Sequence, residues 1–580
     1  MKKFLLGILC GFVFAGLALI VIGFALVRMA SKSAPEIAKD SYLVLRLEGE
    51  IREQPAGEIP IPWFEAQTPW TVLEIRQMLE RAAGDARIKG LLLETGGAAL
   101  GWAKAQEIRG EIVKFAAKGK PVHAFLRRPN AKDYFIATAA QRISMVAEDL
   151  LDLKGLRVER TYFKNTLDKL GVQMEVEAAG KYKDFGDSFT KTGLSPESRE
   201  SLGAILNGIY GVLVKGIAEG RKRPAAEVEK LMDEGPYLAQ TALEAKLVDA
   251  LEYDTEARAE LANKANTTAK AAVSAREYRK QIRQRWKRPA EKRIAYFVAE
   301  GDIVRGSGLG DGVIASRDFI KHVQDLKSDA EYQAVLLRID SPGGDAVASD
   351  ELLAAVKELS KAKPTVISFS DVAASGGYYM AVTGDPIFAY PATITGSIGV
   401  VYGRPNLKGL YEKIGLTKDG MQRGKNADLD SEYKPLSEVG RKKLREGIDQ
   451  SYRTFVARVA EGRKAKPEEI EPLAQGRAWV ASDAGARKLV DQLGGLDEAL
   501  KALREKAKLG PDDRVALVPY PAVEGALDRW FREEISVSAL VKLLLQETGA
   551  APLDQVRQSV RPAWLRGGLL RAMPYTIEVK

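Results

Sequence analysis

The chain has 580 residues, 46% of them hydrophobic and 28% charged, with a net charge of +9. A length of this order suits roughly two to four domains whose cores stand without disulfides. The single cysteine, Cys10, has no partner. The charge excess is modest and mostly interleaved with acidic residues. The densest basic run, 276–293, lacks an aromatic-interleaved fold motif, so nucleic-acid binding is not expected and the run reads as a solvated linker near anionic lipid.

In chain order, the first feature is residues 4–27, an apolar stretch without a charge. At about 1.5 Å per residue it is long enough for a hydrocarbon core of about 30 Å. Lys2 and Lys3 precede it, and Arg28 and Lys32 follow, a near balance that orients it only weakly. Ala30-Ser31-Lys32-Ser33 would permit cleavage, but the stretch exceeds the usual apolar region of a signal peptide. An uncleaved N-terminal transmembrane anchor over 1–35 is therefore expected, with the lipid bilayer as partner of residues 4–27.

Beyond the anchor the chain repeats itself at an offset near 244. Ala218-Glu219-Gly220-Arg221 returns as Ala460-Glu461-Gly462-Arg463, and Lys246-Leu247-Val248-Asp249 as Lys488-Leu489-Val490-Asp491. Residues 91–97 return as 336–344 with two residues added. So long a period reads as a duplicated domain rather than a solenoid. The expected organisation is a first repeat over 36–254, a basic linker or exposed helix over 255–292, a second repeat over 293–510, and an extension over 511–580. In the second repeat 335–339, 365–369 and 386–389 read as buried parallel strands, and 347–359 and 377–382 as helices. That rhythm predicts an α/β fold of tandem βαβ domains with parallel sheets. In the extension, 525–545 and 561–571 mix aromatic, apolar and charged residues and read as segments docking on their own domain rather than on a membrane.

Asp340-Ser341-Pro342-Gly343-Gly344 follows a predicted strand, and Ala373-Ala374-Ser375-Gly376-Gly377-Tyr378-Tyr379 opens a predicted helix. Small neighbours leave the Ser375 hydroxyl uncovered, and glycine turns and helix starts offer backbone N–H groups. One N–H of the Gly343-Gly344 turn, assigned to Gly344, and that of Gly376 form a candidate oxyanion hole. Either glycine turn alone signifies only a tight connection; the ordered pair is more specific.

Together these motifs, with Thr395-Gly396-Ser397-Ile398-Gly399 behind them, resemble the crotonase/Clp-protease superfamily, and within it the signal peptide peptidase A family (peptidase family S49) in its long, duplicated form. The resemblance covers roughly 41–500 together with the anchor. It implies tandem crotonase/Clp-like domains and a serine endopeptidase with a Ser–Lys dyad that degrades signal-peptide remnants and other hydrophobic peptides. It further implies a tetramer, a bacterial inner-membrane location with a periplasmic body, and no metal or organic cofactor.

Ser375 needs a base. His123 and His322 both precede it, and neither lies where a Ser–His–Asp triad of the superfamily would place its histidine. A buried lysine can serve instead, because burial disfavours its charged form. Lys181 and Lys425 hold equivalent repeat positions, with Lys183 a local rival two residues on. The family form resembles the first copy's Gly-Lys-Tyr-Lys, which assigns the base to Lys181, leaving Lys425 as a departure from the family pattern. The resemblance also gives the Ser397 hydroxyl the task of orienting the lysine. Aligning Tyr134 with Tyr378 sets Ala131 opposite Ser375, and Leu153 stands opposite Ser397, so the first copy lacks both serines. Readings from other classes are a catalytically idle membrane-bound peptide-binding scaffold and a thioester-processing crotonase.

Overall fold

The computed structural model describes residues 37–55, 69–284, 292–308, 312–521 and 570–572. The expected anchor over 4–27, Cys10 and nearly all of the extension beyond 521 lie outside the described residues. One described helix, Pro196–Arg221, is apolar and long enough to cross a bilayer, but its Ile205, Ile209, Leu213 and Ile217 are buried in the first copy's core.

Each copy is built on a parallel sheet of the same strand order. In the first, Ala272–Ser274, Ser41–Arg52, Ile88–Ala99, Val122–Leu126, Arg142–Met145 and Ala250–Leu251 lie side by side. In the second the order is Val515–Tyr520, Lys292–Glu300, Tyr332–Ser341, Thr365–Ala374, Ile387–Ala389 and Gln492–Leu493. The central strands are runs such as Ala-Val-Leu-Leu at 334–337 because helices cover both faces. The duplication extends to single bonds. Tyr134 Oη donates to Leu247 O at 2.6 Å and Tyr378 Oη to Leu489 O at 2.8 Å. Arg221 pairs with Asp249 at 2.7 Å and Arg463 with Asp491 at 2.6 Å. The long helices Pro196–Arg221 and Glu438–Arg463 are each capped by a serine and closed by a lysine at positive φ.

The predicted elements of the second copy are present, at Tyr332–Ser341, Thr365–Ala374, Ile387–Ala389, Ala346–Ala362 and Gly376–Ala381. Two boundaries need correction. The stretch read as a linker or exposed helix over 255–292 folds, as far as 284, as part of the first copy. Helix Asp254–Lys264 buries Ala257, Leu261 and Ala262 against Tyr42, Val44, Leu92 and Phe125. Strand Ala272–Ser274 then pairs with 42–44, and in helix Ala275–Gln284 Arg279 pairs with Glu74 at 2.6 Å and stacks on Trp70. The apolar stripe is narrow and made mostly of alanine, so its periodicity is weak. By the same logic the second copy does not stop at 510: Val515–Tyr520 is its edge strand, parallel to Lys292–Glu300.

The copies are joined by buried charge. Arg338 of the second copy and Glu53 of the first pair at 2.8 Å with both side chains 0% exposed. Ser370 and Tyr296 also donate to Glu53, at 2.5 and 2.6 Å. Burial alone would push the Glu53 carboxyl up, but Arg338 and Lys104 outweigh it and hold Glu53 below the usual glutamate range.

Candidate active site

Strand Thr365–Ala374 ends at Ser375, whose φ of 54° and ψ of −115° are unusual for a residue with a side chain. This sharp corner turns the chain from the strand into helix Gly376–Ala381. The Ser375 N–H donates to Gly396 O at 2.7 Å, and the residue is buried. The Gly343-Gly344 turn packs on the same corner: a Cβ on Gly377 would stand 2.5 Å from Ser341 O.

A lysine reaches this corner from the other copy. Strand Gln173–Ala179 pairs antiparallel with Val400–Asn406 over seven residues, Ala179 opposite Val400. The chain then turns at Gly180, φ 105°, so close to Gln475 that any side chain would collide with its backbone. Tyr182 N–H donates to Gln475 O at 2.8 Å and Lys183 N–H back to Gly180 O at 3.0 Å. Lys183 runs over Gly476, where a Cβ would lie 2.6 Å from its own Cβ. Its Nζ ends 2.9 Å from Ser375 Oγ, 2.9 Å from Ser397 O and 3.0 Å from Ser397 Oγ. Lys183 is 3% exposed. Behind it Asp184, its carboxyl pushed up by burial against the pull of Arg160, pairs with Arg160 at 2.8 Å and accepts from Ser198, fixing the segment.

The lysine against Ser375 is thus Lys183, and the expectation for Lys181 is corrected. Lys181 is exposed, its Nζ 5.0 Å from the centre of the Tyr182 ring. The turn at Gly180 sends Lys181 out and Lys183 in. Lys425 is exposed on a coil segment. Ser397 is buried at φ 51°, with its N–H donating to Arg477 O at 2.7 Å. Gly344 lies in strand Gly343–Asp345 beside Ile303. Gly376 begins the helix, where an N–H has no acceptor in its own helix. His123 is held in the first copy's sheet by Ser144 at 2.7 Å and Glu252 at 3.0 Å, and His322 is half-buried on helix Ser316–Ser328.

A second group of charges lies behind both loops. Lys104 of the first copy meets Asp340 at 2.8 Å, Asp371 at 3.5 Å and Glu300 at 3.6 Å, all of the second. Asp371 also accepts from the N–H groups of Gly101, Ala103 and Lys104, capping helix Trp102–Ala116 across the copies. Burial, with Asp371 and Glu300 adding repulsion against the pull of Lys104, pushes the Asp340 carboxyl up to about 7. Asp340 directly precedes Ser341, so this group ties the glycine turn to the first copy. The sequence reading missed it because its members lie far apart along the chain.

The model of peptidase family S49 matches the chain twice, over 114–268 and 357–510, once in each copy. The chain is 31% identical over 524 residues to "Serine protease SPPA, chloroplastic" of Arabidopsis thaliana, covering 88% of this chain and 76% of that protein. It is 28% identical over 571 residues to "Protease 4" of Haemophilus influenzae, covering 94% and 90%, and 28% identical over 517 residues to "Protease 4" of Salmonella typhi, covering 85% and 82%.

Proposed function

The chain belongs to peptidase family S49, and on that premise we propose that it is a serine endopeptidase with Ser375 as nucleophile and Lys183 as general base. One observation carries the assignment: a buried lysine Nζ 2.9 Å from the hydroxyl of a serine on a strained strand-to-helix corner. A neutral amine has two N–H groups and one lone pair. Ser397 O and Oγ are placed to accept the two N–H groups, which leaves the lone pair for the Ser375 proton. A lysine base must be neutral, and burial disfavours charge on an amine.

Ser375 Oγ attacks the scissile carbonyl while Lys183 takes its proton and then returns it to the leaving amine. The N–H groups of Gly344 and Gly376 hold the oxyanion. Water, deprotonated by Lys183, then releases the acyl group. The substrate class is extended hydrophobic peptide, including signal-peptide remnants. Residues 4–27 hold the enzyme at a bilayer, and copies of the chain assemble into a tetramer on an inner membrane.

The test is hydrolysis of a fluorogenic hydrophobic peptide by the full detergent-solubilised chain. Lys183→Ala is expected to abolish it, while Lys181→Ala and Lys425→Ala retain it. Loss in Lys181→Ala with activity kept in Lys183→Ala would overturn the assignment. A wild type that is inert and unlabelled by a fluorophosphonate probe would leave the idle peptide-binding scaffold.

A further inference from the structure

Two buried lysines of the first copy reach into the second. Lys183 meets the hydroxyls of the active site, and Lys104, in the first turn of helix Trp102–Ala116, meets carboxylates. Those carboxylates, Glu300, Asp340 and Asp371, stand towards the ends of three adjacent strands, Lys292–Glu300, Tyr332–Ser341 and Thr365–Ala374. Asp340 directly precedes Ser341-Pro342-Gly343-Gly344, and Asp371 lies four residues before Ser375.

Asp340 sits at a fault in the sheet. Tyr332–Ser341 and Thr365–Ala374 pair in steady register as far as Ile339 with Phe369, then slip, so that Ser341 faces Ala373. Such an irregularity bends a strand and interrupts the ladder. The Asp340 carboxylate fills the break, its Oδ1 accepting from the Val372 N–H at 3.0 Å. Beyond the slip lie the glycine turn on one strand and the Ser375 corner on the other. The counterpart strands of the first copy, Ile88–Ala99 and Val122–Leu126, pair without a slip.

Asp371 is held by the first copy as well. Helix Trp102–Ala116 starts at Gly101, which has no side chain to cap it, and a Cβ there would stand 2.2 Å from Asp371 Cγ. The matching helix of the second copy, Ala346–Ala362, is capped by its own Asp345. Carboxylates gathered this closely repel one another, and a cation among them lets them converge. Burial works against the charge on Lys104, but Asp340, Asp371 and Glu300 outweigh it and hold the amine well above the usual lysine range.

We propose that Lys104 is a positioning residue of the active site: its ammonium, fixed to the first copy, sets the slip between the two strands and so the spacing between the oxyanion glycine and the Ser375 hydroxyl. The proposal rests on the peptidase reading above and gives the first copy a second part in catalysis besides the base. Lys104 lies behind both loops and acts through them. Its loss misplaces the reacting groups and leaves peptide binding as it was.

The experiment uses the full detergent-solubilised chain carrying Lys104→Met, which keeps the length of the side chain and removes its charge. kcat for the fluorogenic peptide is expected to fall about 10²-fold, with KM within about twofold of the wild type. Lys104→Met leaves the carboxylates without their cation and can fail to fold, so Gly101→Ala is made beside it. That change removes no charge and pushes Asp371 off its cap; kcat should fall about tenfold at the same KM. Amide hydrogen exchange is the second readout. In each variant that folds, 341–345 and 372–376 exchange about tenfold faster than in the wild type, while 335–338 and 366–369 stay protected. Unchanged kcat, or unchanged exchange at both loops, overturns the proposal. So does faster exchange throughout the second copy, which would make Lys104 a general prop of the fold. Exchange needs no turnover: if the wild type hydrolyses nothing, the peptidase reading fails, and exchange at the two loops still decides whether Lys104 places them. Loss of hydrolysis in Lys183→Ala beside full kcat in Lys104→Met would sink the positioning role alone.

Discussion

The two copies share a sheet order, a tyrosine-to-carbonyl bond and an arginine–aspartate pair, yet they differ at the corner after the third long strand. In the second copy Ser375 sits there at φ 54°. In the first, the tyrosine register puts Ala131 at that place, inside a helix capped by Asn130 at an ordinary φ of −89°. The lysine that meets Ser375 shows the reverse asymmetry. The first copy delivers Lys183 on an arm that pairs with the second copy, whereas the counterpart stretch around Lys425 is exposed coil. Both copies keep the scaffold, and the serine and the lysine that meet across them come one from each.

The sharpest way to break this comparison is to try to restore a site in the first copy. Ser375→Ala is expected to lower kcat/KM for the fluorogenic peptide by on the order of 10⁴-fold or more, as for other serine hydrolases that lose the nucleophile. Ala131→Ser in that background is expected to recover nothing, because the helical corner neither exposes a hydroxyl nor meets a lysine. Recovered hydrolysis would show that the first copy is still a site.

The next largest effect tests the seam. Glu53→Ala leaves Arg338 buried and without its carboxylate, and removal of one partner of such a pair costs about 3–5 kcal/mol. Chemical denaturation should show that loss in the full chain. A loss below about 1 kcal/mol would mean that the copies are not held by this pair.

Much of the second copy was legible in the sequence because its strands are doubly buried and its turns rich in glycine, so both Ser375 and Ser397 could be placed from motifs. The base could not be placed, because Lys181 and Lys183 differ only by how the chain turns at Gly180, and that turn is set by Gln475 and Gly476, nearly three hundred residues away. One clue was available. Helices Pro196–Arg221 and Glu438–Arg463 repeat at an offset of 242 (438 less 196), which sets Lys183 rather than Lys181 opposite Lys425. The burial of the helix over 254–264 was missed because alanine carries its buried face. The Glu53–Arg338 and Lys104 groups were invisible because charge patterning along a chain says nothing about partners in another domain.

Ser397 against Leu153 sharpens the comparison at the level of the base. Ser397→Ala removes one of the two acceptors on the Lys183 amine and keeps the carbonyl. A misdirected base of this kind costs about 10²-fold in kcat with little change in KM. Unchanged kcat would leave Ser397 as a turn residue. Ser397→Thr, which keeps the hydroxyl, should restore part of the rate.

The smallest effect concerns the carboxylates behind the glycine turns. In the first copy Glu94 is served by two cations, Arg46 and Arg258, each at 2.6 Å. In the second, Asp340 shares the single Lys104 with Asp371 and Glu300 and is pushed up to about 7. A carboxyl whose folded pKa lies above its unfolded value of 3.8 holds a proton in the native state that the unfolded chain has already released. Its contribution therefore disfavours folding progressively as pH rises from the unfolded value to the folded one, and levels off above it. With a folded value near 7, the loss between about pH 6 and pH 8 is on the order of 1 kcal/mol. Asp340→Asn should flatten that part of the denaturation midpoint's pH profile, and Glu94→Gln should leave it in place. A wild-type profile that is level from pH 6 to pH 8 would mean that Lys104 keeps Asp340 ionised and that the second copy carries no more frustrated charge behind its turn than the first.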